Sequence, residues 1–408
     1  MNITCLKCKG RGFCGRSFCP HIAKSEAIFR LKKSMPERDF QGTSPAPFIG
    51  WSGYPRVNVG ILSPAHAAED AWLYDAPDHW AANNFQIPQI VEYRSGLINS
   101  RQKARIRDKD RLVAISQEVG VSSKPVDVEI NLKDRPRFRL NADSMLAPMG
   151  PNAEIEKATI TSNPHVDTRV DRVVSDNDLK AASALTSLYD KGFGENFLTK
   201  VLSVGTLGLQ YSRKLVPTRW SITAVDDQLG KHLMKDVKQL PHADYLAFFG
   251  SYLGNYYLIL VFPDVFSYEL FEMYAPKASW NTSDQLQCST DHESFEGRKD
   301  YAHECAGGYY TVRLAVLEHM RKIRRQGACL VLRFITGEYA VPLGVWVTRE
   351  AARKAMSAKP MEFASRELML KYAQAVARKK FGVDLSGVLR QSKVLASIRS
   401  QTKLTAFA

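Results

Sequence analysis

The 408-residue sequence has no run of about 18 uncharged apolar residues, which is what a membrane-spanning helix requires. The longest apolar stretch, YLAFFGSYLGNYYLILVF at residues 245–262, is interrupted by Gly250 and Gly254 and favours two adjacent buried strands. The first residues, MNITCLKCKG, carry charges where a signal peptide needs an apolar stretch. We therefore expect a cytoplasmic protein that has no membrane partner.

The sequence also lacks a Walker motif, a G-x-G-x-x-G run and a nucleophile elbow, so the common signatures of nucleotide-binding proteins and hydrolases are absent. It has no internal repeat and no low-complexity tract. Apolar residues make up 45% of the chain and charged residues 24%, which is typical of a globular protein. Strand and helix patterns occur without a regular β–α–β rhythm, and this predicts an α+β fold.

Positive charge is concentrated near the two ends of the chain. Residues 1–40 hold nine Lys or Arg against three acidic residues, and residues 345–408 hold thirteen against four. Because the net charge of the whole chain is +14, the residues between these segments are close to neutral. This distribution predicts a near-neutral folded body with basic terminal regions, which suit phosphate backbones or other anionic partners.

The cysteines divide into a cluster and a scattered set. Four of the seven lie in CLKCKGRGFCGRSFCPH, at Cys5, Cys8, Cys14 and Cys19, while Cys288, Cys305 and Cys329 are far apart. An odd number of cysteines without a signal peptide argues against a disulfide framework. Four thiolates in so short a segment predict a closed structural Zn²⁺ site, whose binding would supply the folding free energy of a small knuckle. His21 is an alternative fourth ligand in place of Cys19.

Four segments are predicted along the chain: a zinc knuckle with a basic helix at 1–34, an N-terminal α/β region at 35–150, a central and C-terminal α+β domain at 151–385, and a flexible tail at 386–408. Strands are predicted within 125–140, 244–250, 255–262, 265–274 and ACLVLRFI, and helices near 310–325, 348–358 and 364–380. The run SPAPFIGWSGYPRVNVGILSP is too rich in Gly and Pro for a long helix. It predicts either a packed loop or a place where backbone amides approach a ligand.

Two further segments concentrate charge. HAAEDAWLYDAPDHWAANN holds two His and four carboxylates, which predict either a divalent-metal site or the polar face of a helix that buries Trp72 and Trp80. SRQKARIRDKDR places a basic residue at every second position, namely Arg101, Lys103, Arg105, Arg107, Lys109 and Arg111. On a strand these six side chains would share one face and form a phosphate-binding ribbon, whereas on a helix they would spread around it.

The segment SRKLVPTRWSITAVDD combines the features of a phosphate-handling site. Its basic residues Arg213, Lys214 and Arg219 lie beside hydroxyl side chains, and Asp226 and Asp227 follow. A carboxylate pair of this kind can hold Mg²⁺ or Mn²⁺, and in a nuclease it would assist phosphodiester hydrolysis. The alternative is a strand, WSITAV, that runs into a helix capped by the aspartates.

Several of these runs together resemble one family. The cysteine knuckle, SPAPFIGWSGYPRVNVGILSP, SRKLVPTRWSITAVDDQLG, FITGEYAVPLGVWVTREA and the C-terminal tail are similar to the Nre family of archaeal DNA-repair proteins, and the resemblance covers essentially the whole chain. The resemblance implies a part in the repair of DNA damage and binding to the sliding clamp PCNA. It implies no particular reaction.

The final residues, QTKLTAFA, resemble the clamp-binding motif Q-x-x-h-x-x-a-a, where h is aliphatic and a is aromatic. Carried over, Gln401 takes the glutamine position, Leu404 the aliphatic position and Phe407 the first aromatic position. Ala408 departs from the pattern because a second aromatic residue is usual there. The lost apolar burial would weaken binding by about 1–2 kcal/mol.

Three hypotheses about function follow. The first is a DNA-binding repair factor tethered to PCNA by its C-terminal motif, and the second is a metal-dependent nuclease or other phosphoryl-handling enzyme centred on Asp226 and Asp227. The third is an RNA-binding zinc protein whose basic ends contact structured RNA. The sequence leaves open whether the protein is an enzyme.

Overall fold

The structure is a computed structural model that describes Cys8 and residues 38–137, 150–276, 278, 280, 281, 283–305 and 308–400. Within these ranges the chain forms two compact units. The first unit comprises the described residues up to 229 together with Val341–Leu343, and the second comprises those of 230–340 and 344–400. The sequence-based expectation placed its main boundary elsewhere, near residue 150.

A six-stranded mixed sheet, with the strand order β1-β5-β6-β4-β3-β2, organises the first unit. Its strands are β1 (Asp39–Ser44), β2 (Ala46–Ile49), β3 (Arg56–Ser63), β4 (Ile98–Arg105), β5 (Val126–Leu132) and β6 (Asn152–Ile160). Neighbouring strands are antiparallel except β4 and β6, which are parallel. The sequence VDVEINL in β5 buries every second side chain, as a sheet with one covered face requires, and confirms the predicted strand.

Short helices surround this sheet along the chain. They are a 3₁₀ turn at Ala71–Asp75, α1 (Pro77–Ala82), α2 (Ile87–Ser95), α3 (Arg111–Val121), α4 (Thr168–Ser175), α5 (Ala181–Asp190), α6 (Glu195–Ser203) and a 3₁₀ turn at Gln210–Ser212. Helix α3 begins where the Asp110 carboxylate accepts the N–H of Val113 at 3.0 Å. Its residues Leu112 and Ile115 pack with the buried side chains of β5 in one core cluster.

Helix α7 (Thr218–Val237) follows, and it corrects one expectation. WSITAV is helical, so the prediction of a strand there is wrong. The Pro217 carbonyl accepts the N–H groups of Trp220 and Ser221, at 2.8 and 2.9 Å, which sets the first turn. Ser221, Val225 and Leu229 are all fully buried, and a spacing of four residues is the period of a helix face, not of a strand.

A second six-stranded mixed sheet, ordered β10-β9-β11-β8-β7-β12, organises the second unit. Its strands are β7 (Tyr245–Tyr252), β8 (Asn255–Phe262), β9 (Ser267–Tyr274), β10 (Gln287–Glu293), β11 (Ala328–Ile335) and β12 (Met361–Phe363). Only β9 and β11 pair in parallel among these strands. All eight residues of β11 are buried, which explains its nearly continuous apolar sequence and confirms the predicted strand ACLVLRFI.

The helices of this unit are α8 (Gly308–Ile323), α9 (Trp346–Ser357), α10 (Arg366–Phe381), α11 (Ser386–Gln391) and α12 (Lys393–Ser400). The predicted helices near 310–325, 348–358 and 364–380 are confirmed. In α10 the Ser365 hydroxyl accepts the N–H of Leu368 at 3.3 Å, and the helix ends at Gly382 in the left-handed conformation, with φ of 67°.

Residues 386–400 are helical, so the prediction of a flexible tail from residue 386 is wrong for this part. The cause is a buried carboxylate on β9: Glu269 accepts the N–H groups of Lys393 and Val394, at 2.9 and 3.1 Å, at the first turn of α12. Val394 and Leu395 then enter the apolar core against the second sheet. Residues 401–408 lie outside the described residues.

Two mixed sheets with helices confirm the α+β prediction. Among the helices that the structure describes, none has the length and apolar character needed to cross a membrane.

Candidate nucleic-acid interface

Five large aromatic side chains among the described residues of the first unit are exposed, and three of them belong to two segments that contact each other. Trp51 and Tyr54 lie in the turn between β2 and β3, and Trp220 lies in the first turn of α7; between 41% and 49% of each residue's surface is accessible. The rings of Tyr54 and Trp220 are in contact, with centroids 5.0 Å apart. Aromatic surface of this size is normally removed from water, so its exposure at one place marks an interaction site.

The turn that presents these rings is fixed by backbone geometry. Gly53 adopts a φ of +86°, which favours glycine, and its carbonyl accepts the N–H of Arg56 at 2.9 Å. The N–H of Tyr54 is donated to the carbonyl of Trp51 at 3.3 Å. The Lys103 ammonium reaches the same turn from β4 and donates to the Ser52 carbonyl at 3.4 Å. The SPAPFIGWSGYPR run therefore forms a strand and a tight turn that exposes two large aromatic side chains.

Basic side chains follow the neighbouring strands. Arg56 of β3 pairs directly with Arg105 of β4, and Asn58 pairs with Lys103. The alternating predicted residues Arg101, Lys103 and Arg105 do lie on one strand, whereas the basic residues that follow leave the strand for a turn and α3. Because opposed residues of an antiparallel pair point to the same face, these cations form one basic ridge.

Three segments distant in sequence are joined at this place by backbone hydrogen bonds. The N–H of Ile106, just after β4, is donated to the carbonyl of Pro55 at 3.0 Å, and the N–H of Leu215 to the carbonyl of Ile106 at 2.8 Å. The N–H of Ile49 is donated to the hydroxyl of Thr218 at 3.0 Å. The aromatic turn, the end of β4 and the start of α7 are therefore held together. We call the exposed set Trp51, Tyr54, Arg56, Lys103, Arg105 and Trp220 the aromatic-basic surface.

The positive charge of the aromatic-basic surface is not neutralised locally. Within the described residues, Arg56, Lys103 and Arg105 form no ion pair. Two nearby carboxylates accept backbone hydrogen bonds instead. Asp108 accepts the N–H of Arg105 at 2.7 Å, and Asp110 caps α3. Like charges directly opposite on a sheet cost stability, so the pairing of Arg56 with Arg105 favours an anionic partner.

The residues predicted to form a catalytic site have different environments. Asp226 is completely buried on α7, and Asp227 is half-buried, whereas Lys214 and Arg219 are exposed. Seven residues separate Arg219 from Asp226 on the helix, so their Cα atoms are about 10 Å apart along its axis. The structure therefore places the carboxylate in the interior and the cations at the surface, and a catalytic role for the set stays a prediction.

Arg213 has a structural role. Its guanidinium donates to the backbone carbonyls of Gly208, Val174 and Asp176, at 2.8, 2.9 and 2.7 Å. These bonds use donors from all three nitrogens of the guanidinium group and fasten the loop before α7 to the end of α4.

The acidic segment at 66–79 also contributes to packing. Trp80 is completely buried, as predicted, but Trp72 is 42% exposed, and the expectation that both are buried is wrong. Asp75 pairs with Arg94, and Asp78 accepts a hydrogen bond from the amide of Asn196 at 2.8 Å. The helical interpretation of this segment holds for its second half, which forms α1.

Two of the predicted sites fall largely outside the described residues. Of the predicted zinc ligands, Cys8 is described and is buried, whereas Cys5, Cys14 and Cys19, like the alternative His21, lie outside. Gln401, Leu404, Phe407 and Ala408 also lie outside.

The second unit contains a set of buried charges that was not predicted from the sequence. Arg333 of β11 forms an ion pair with Glu272 of β9, and its Nε and Nη2 donate to Asn255 Oδ1 at 3.1 and 2.5 Å. On α8, Arg313 pairs with Glu293 of β10 at 2.9 Å. The signal was present, because a Glu or Arg inside a strand that is otherwise apolar needs a buried partner.

A polar cavity of 370 Å³ lies beside β10 and is lined by charged residues, among them Asp291, Arg298 and Lys393. The Asp291 carboxylate pairs with Arg298 at 2.9 Å and accepts the N–H groups of Glu304 and Cys305. Burial together with nearby cations lowers the pKa of His292 to about 4, so this imidazole is neutral at pH 7. The cavity therefore presents fixed, largely paired charges to a small polar solute.

Comparison with known proteins identifies the class to which this fold belongs. A family model described as archaeal Nre, N-terminal, matches residues 13–281, and one described as archaeal Nre, C-terminal, matches residues 293–407. The chain belongs to the archaeal Nre family, as its motifs predicted.

Individual relatives cover most of the chain. It is 35% identical over 402 residues to DNA repair protein NreB of Archaeoglobus fulgidus, which covers 98% of this chain and 99% of that protein. It is 37% identical over 325 residues to DNA repair protein NreA of Haloferax volcanii, covering 78% and 77%. It is 34% identical over 369 residues to DNA repair protein NreA of Archaeoglobus fulgidus, covering 90% and 91%. No solved structure matches the chain.

Proposed function

We propose that this protein is a DNA-repair factor that binds DNA through the aromatic-basic surface and is tethered to the sliding clamp PCNA by its C-terminal motif. Three relatives at 34–37% identity bear the name DNA repair protein, which supports the pathway. The observation that carries the DNA-binding part is that three exposed aromatic residues lie beside Arg56, Lys103 and Arg105, three cations that form no ion pair within the described residues of the first unit.

The charge of the ridge accounts for the proposed affinity. Lys and Arg that neutralise phosphates release condensed counterions, which makes binding favourable and dependent on salt. Among the described residues, no carboxylate forms an ion pair with Arg56, Lys103 or Arg105, so none has to be displaced before these cations contact phosphate. Their interaction with DNA therefore does not compete with an ion pair of the folded protein.

The first experiment replaces these three cations with alanine. Binding of the full-length protein to a labelled 20-nucleotide DNA is measured by fluorescence anisotropy at several salt concentrations. We expect weaker binding and a slope of log K against log salt that is smaller in magnitude by about 2–3, because each lost phosphate contact contributes about 0.7–0.9.

A matched control tests whether the position of these cations matters or only the total charge of the protein. Lys124, Lys157 and Lys191 are exposed cations of the same unit that do not belong to the aromatic-basic surface, and their triple alanine variant has the same net charge as the first. If both triple variants lose the same affinity, the surface has no special role and the proposal for DNA binding fails.

The clamp tether rests on Gln401, Leu404, Phe407 and Ala408, which resemble a PCNA-binding motif. PCNA is a trimeric ring with three equivalent sites, so even a weak peptide raises the local concentration of the protein at DNA. Deleting residues 401–408 should abolish binding to PCNA in calorimetry and leave the circular dichroism spectrum unchanged. Replacing Thr402 and Thr405 with alanine is the control, because these positions are not specified by the motif. Unchanged binding after the deletion would refute the tether.

The zinc knuckle is part of the same proposal. Cys5, Cys8, Cys14 and Cys19 would hold structural Zn²⁺ through four thiolates, a donor set that leaves no open position for a reacting water. The burial of Cys8 is compatible with a ligand held in a small folded segment.

A further inference from the structure

We propose that the aromatic-basic surface binds single-stranded rather than double-stranded DNA, with bases stacked on its aromatic rings and phosphates on its basic ridge. The inference rests on the proposed DNA-binding function and specifies the substrate of the same surface. It follows from the kind of side chain that is exposed, because phosphate contacts need only cations, whereas aromatic side chains next to those cations are the stacking platforms that single strands use.

The rings are available to a ligand. Trp51 is 49% exposed, Tyr54 41% and Trp220 44%, and the contact between Tyr54 and Trp220 leaves a large part of each uncovered. The planes of these two rings are inclined by 56°, so together they form a bent aromatic surface rather than a closed stack. Each ring can therefore receive a base on its own free face. In a duplex the faces of the bases are already stacked on one another, and only an unpaired strand offers them.

The cations lie where the backbone of such a strand would pass. The Lys103 ammonium contacts the carbonyl of Ser52, the residue that follows Trp51, so ring and cation are neighbours across the turn. Arg56 and Arg105 face each other on β3 and β4, where opposed Cβ atoms are about 4.5–5.5 Å apart. Two arginine side chains that start from Cβ atoms this close can contact one phosphate or two successive phosphates.

The backbone segments that carry the aromatic residues are held in fixed positions, which favours specific stacking of bases over nonspecific apolar contact. The hydrogen bonds of Ile106, Leu215 and Ile49 fix the turn, the end of β4 and the start of α7 to one another. Because the backbone segments that carry the rings are already held together, less ordering of the protein opposes the binding of a base. A flexible acidic peptide is the rival anionic ligand, but its acidic side chains have no aromatic faces to stack on three rings.

The test compares full-length protein and variants on a single-stranded oligonucleotide, dT20, and on a 20-base-pair duplex, by fluorescence anisotropy at one salt concentration. Each of Trp51→Ala and Trp220→Ala should weaken binding of dT20 about 5- to 150-fold, because stacking contributes that much per base. Trp72→Ala is the control, since Trp72 belongs to the same unit and is 42% exposed but lies outside the aromatic-basic surface. It should bind dT20 like the unaltered protein.

Two further measurements separate stacking from folding. Trp51→Phe and Trp220→Phe keep an aromatic ring and should retain most of the affinity that the alanine variants lose. Tryptophan fluorescence should be quenched on adding dT20, and less so in the double Phe variant, because stacked bases quench the indole.

The possible results distinguish the inference about single-stranded DNA from the proposed DNA-binding function on which it rests. The inference is supported if the protein binds dT20 more tightly than the duplex and if this preference is lost in Trp51→Ala and Trp220→Ala but kept in Trp72→Ala. Equal binding of both DNAs with no effect of the alanine variants overturns the inference and leaves DNA binding intact. Binding of neither DNA at low salt refutes both, and tenfold tighter binding of single-stranded RNA overturns the assignment to DNA.

Discussion

Replacing Arg333 with methionine should strongly destabilise the second unit. The guanidinium is buried between Glu272 and Asn255, and these two partners are only 3% and 0% exposed. Methionine fills similar space but leaves the Glu272 carboxylate and the Asn255 carbonyl without their main donor. One hydrogen bond from the Tyr274 hydroxyl to Glu272, at 3.2 Å, remains. We expect a loss of about 3–5 kcal/mol, the usual consequence of leaving one buried charge unpaired.

The same reasoning predicts that a second substitution recovers part of the loss. In Arg333→Met combined with Glu272→Leu neither charge of this pair remains, and buried ion pairs replaced by apolar groups are often neutral in stability. The double variant should therefore be more stable than Arg333→Met alone. Additive losses would instead show that the two side chains are not energetically coupled.

The assay is hydrogen exchange of the full-length protein, read by mass spectrometry on peptides from β9 and β11. It reports the local free energy of opening in the sheet that holds the pair. Arg366→Met is the control, because Arg366 pairs with Glu367 at 3.0 Å on the surface, where a pair contributes about 0–1 kcal/mol. If Arg333→Met accelerates exchange no more than Arg366→Met, the buried network does not stabilise the unit and the reasoning is refuted.

Three other predictions concern separate parts of the chain. Ala408→Phe restores the second aromatic position and should tighten binding to PCNA by about 1–2 kcal/mol, measured by calorimetry; no gain would show that this position is not buried. The pKa of His292 is lowered from its usual value to about 4, so the unfolded chain binds more protons there between pH 6.5 and 4, and stability should fall as pH falls through this window. Thermal unfolding of His292→Gln should show a weaker pH dependence over the same window, and an identical dependence would contradict it. Cys8→Ser should lower the zinc content measured by plasma mass spectrometry, whereas Cys329→Ser should not.

Strongly periodic elements of the fold could be predicted from the sequence. The alternation in VDVEINL and the apolar run ACLVLRFI gave strands, and the helices α9 and α10 begin and end within two residues of their expected positions. WSITAV was not predictable in this way, because its β-branched residues favour a strand while the Pro217 turn and the four-residue spacing of buried side chains make it helical.

The candidate surface could be predicted only in pieces. The alternation of Arg101, Lys103 and Arg105 predicted either a basic strand or a basic helix, and the aromatic residues of the Gly- and Pro-rich run could be identified in the sequence without their exposure. The sequence does not show that these residues lie close together in the fold, because their proximity depends on long-range backbone hydrogen bonds such as that between Ile106 and Leu215. Asp226 follows basic residues in the sequence, but its complete burial depends on how α7 packs and could not be predicted from that order.

The helical state of residues 386–400 changes what the C-terminal motif can do. A tail that is flexible from residue 386 would let the motif search a wide volume, but α12 ends at Ser400, directly before Gln401. Eight extended residues span at most about 26–29 Å, and a clamp-bound motif uses most of that length itself. If Gln401 engages PCNA, the second unit must then lie close against the ring. The short connection restricts orientation as well as distance, so the motif would position the folded body at the clamp rather than merely retain it nearby.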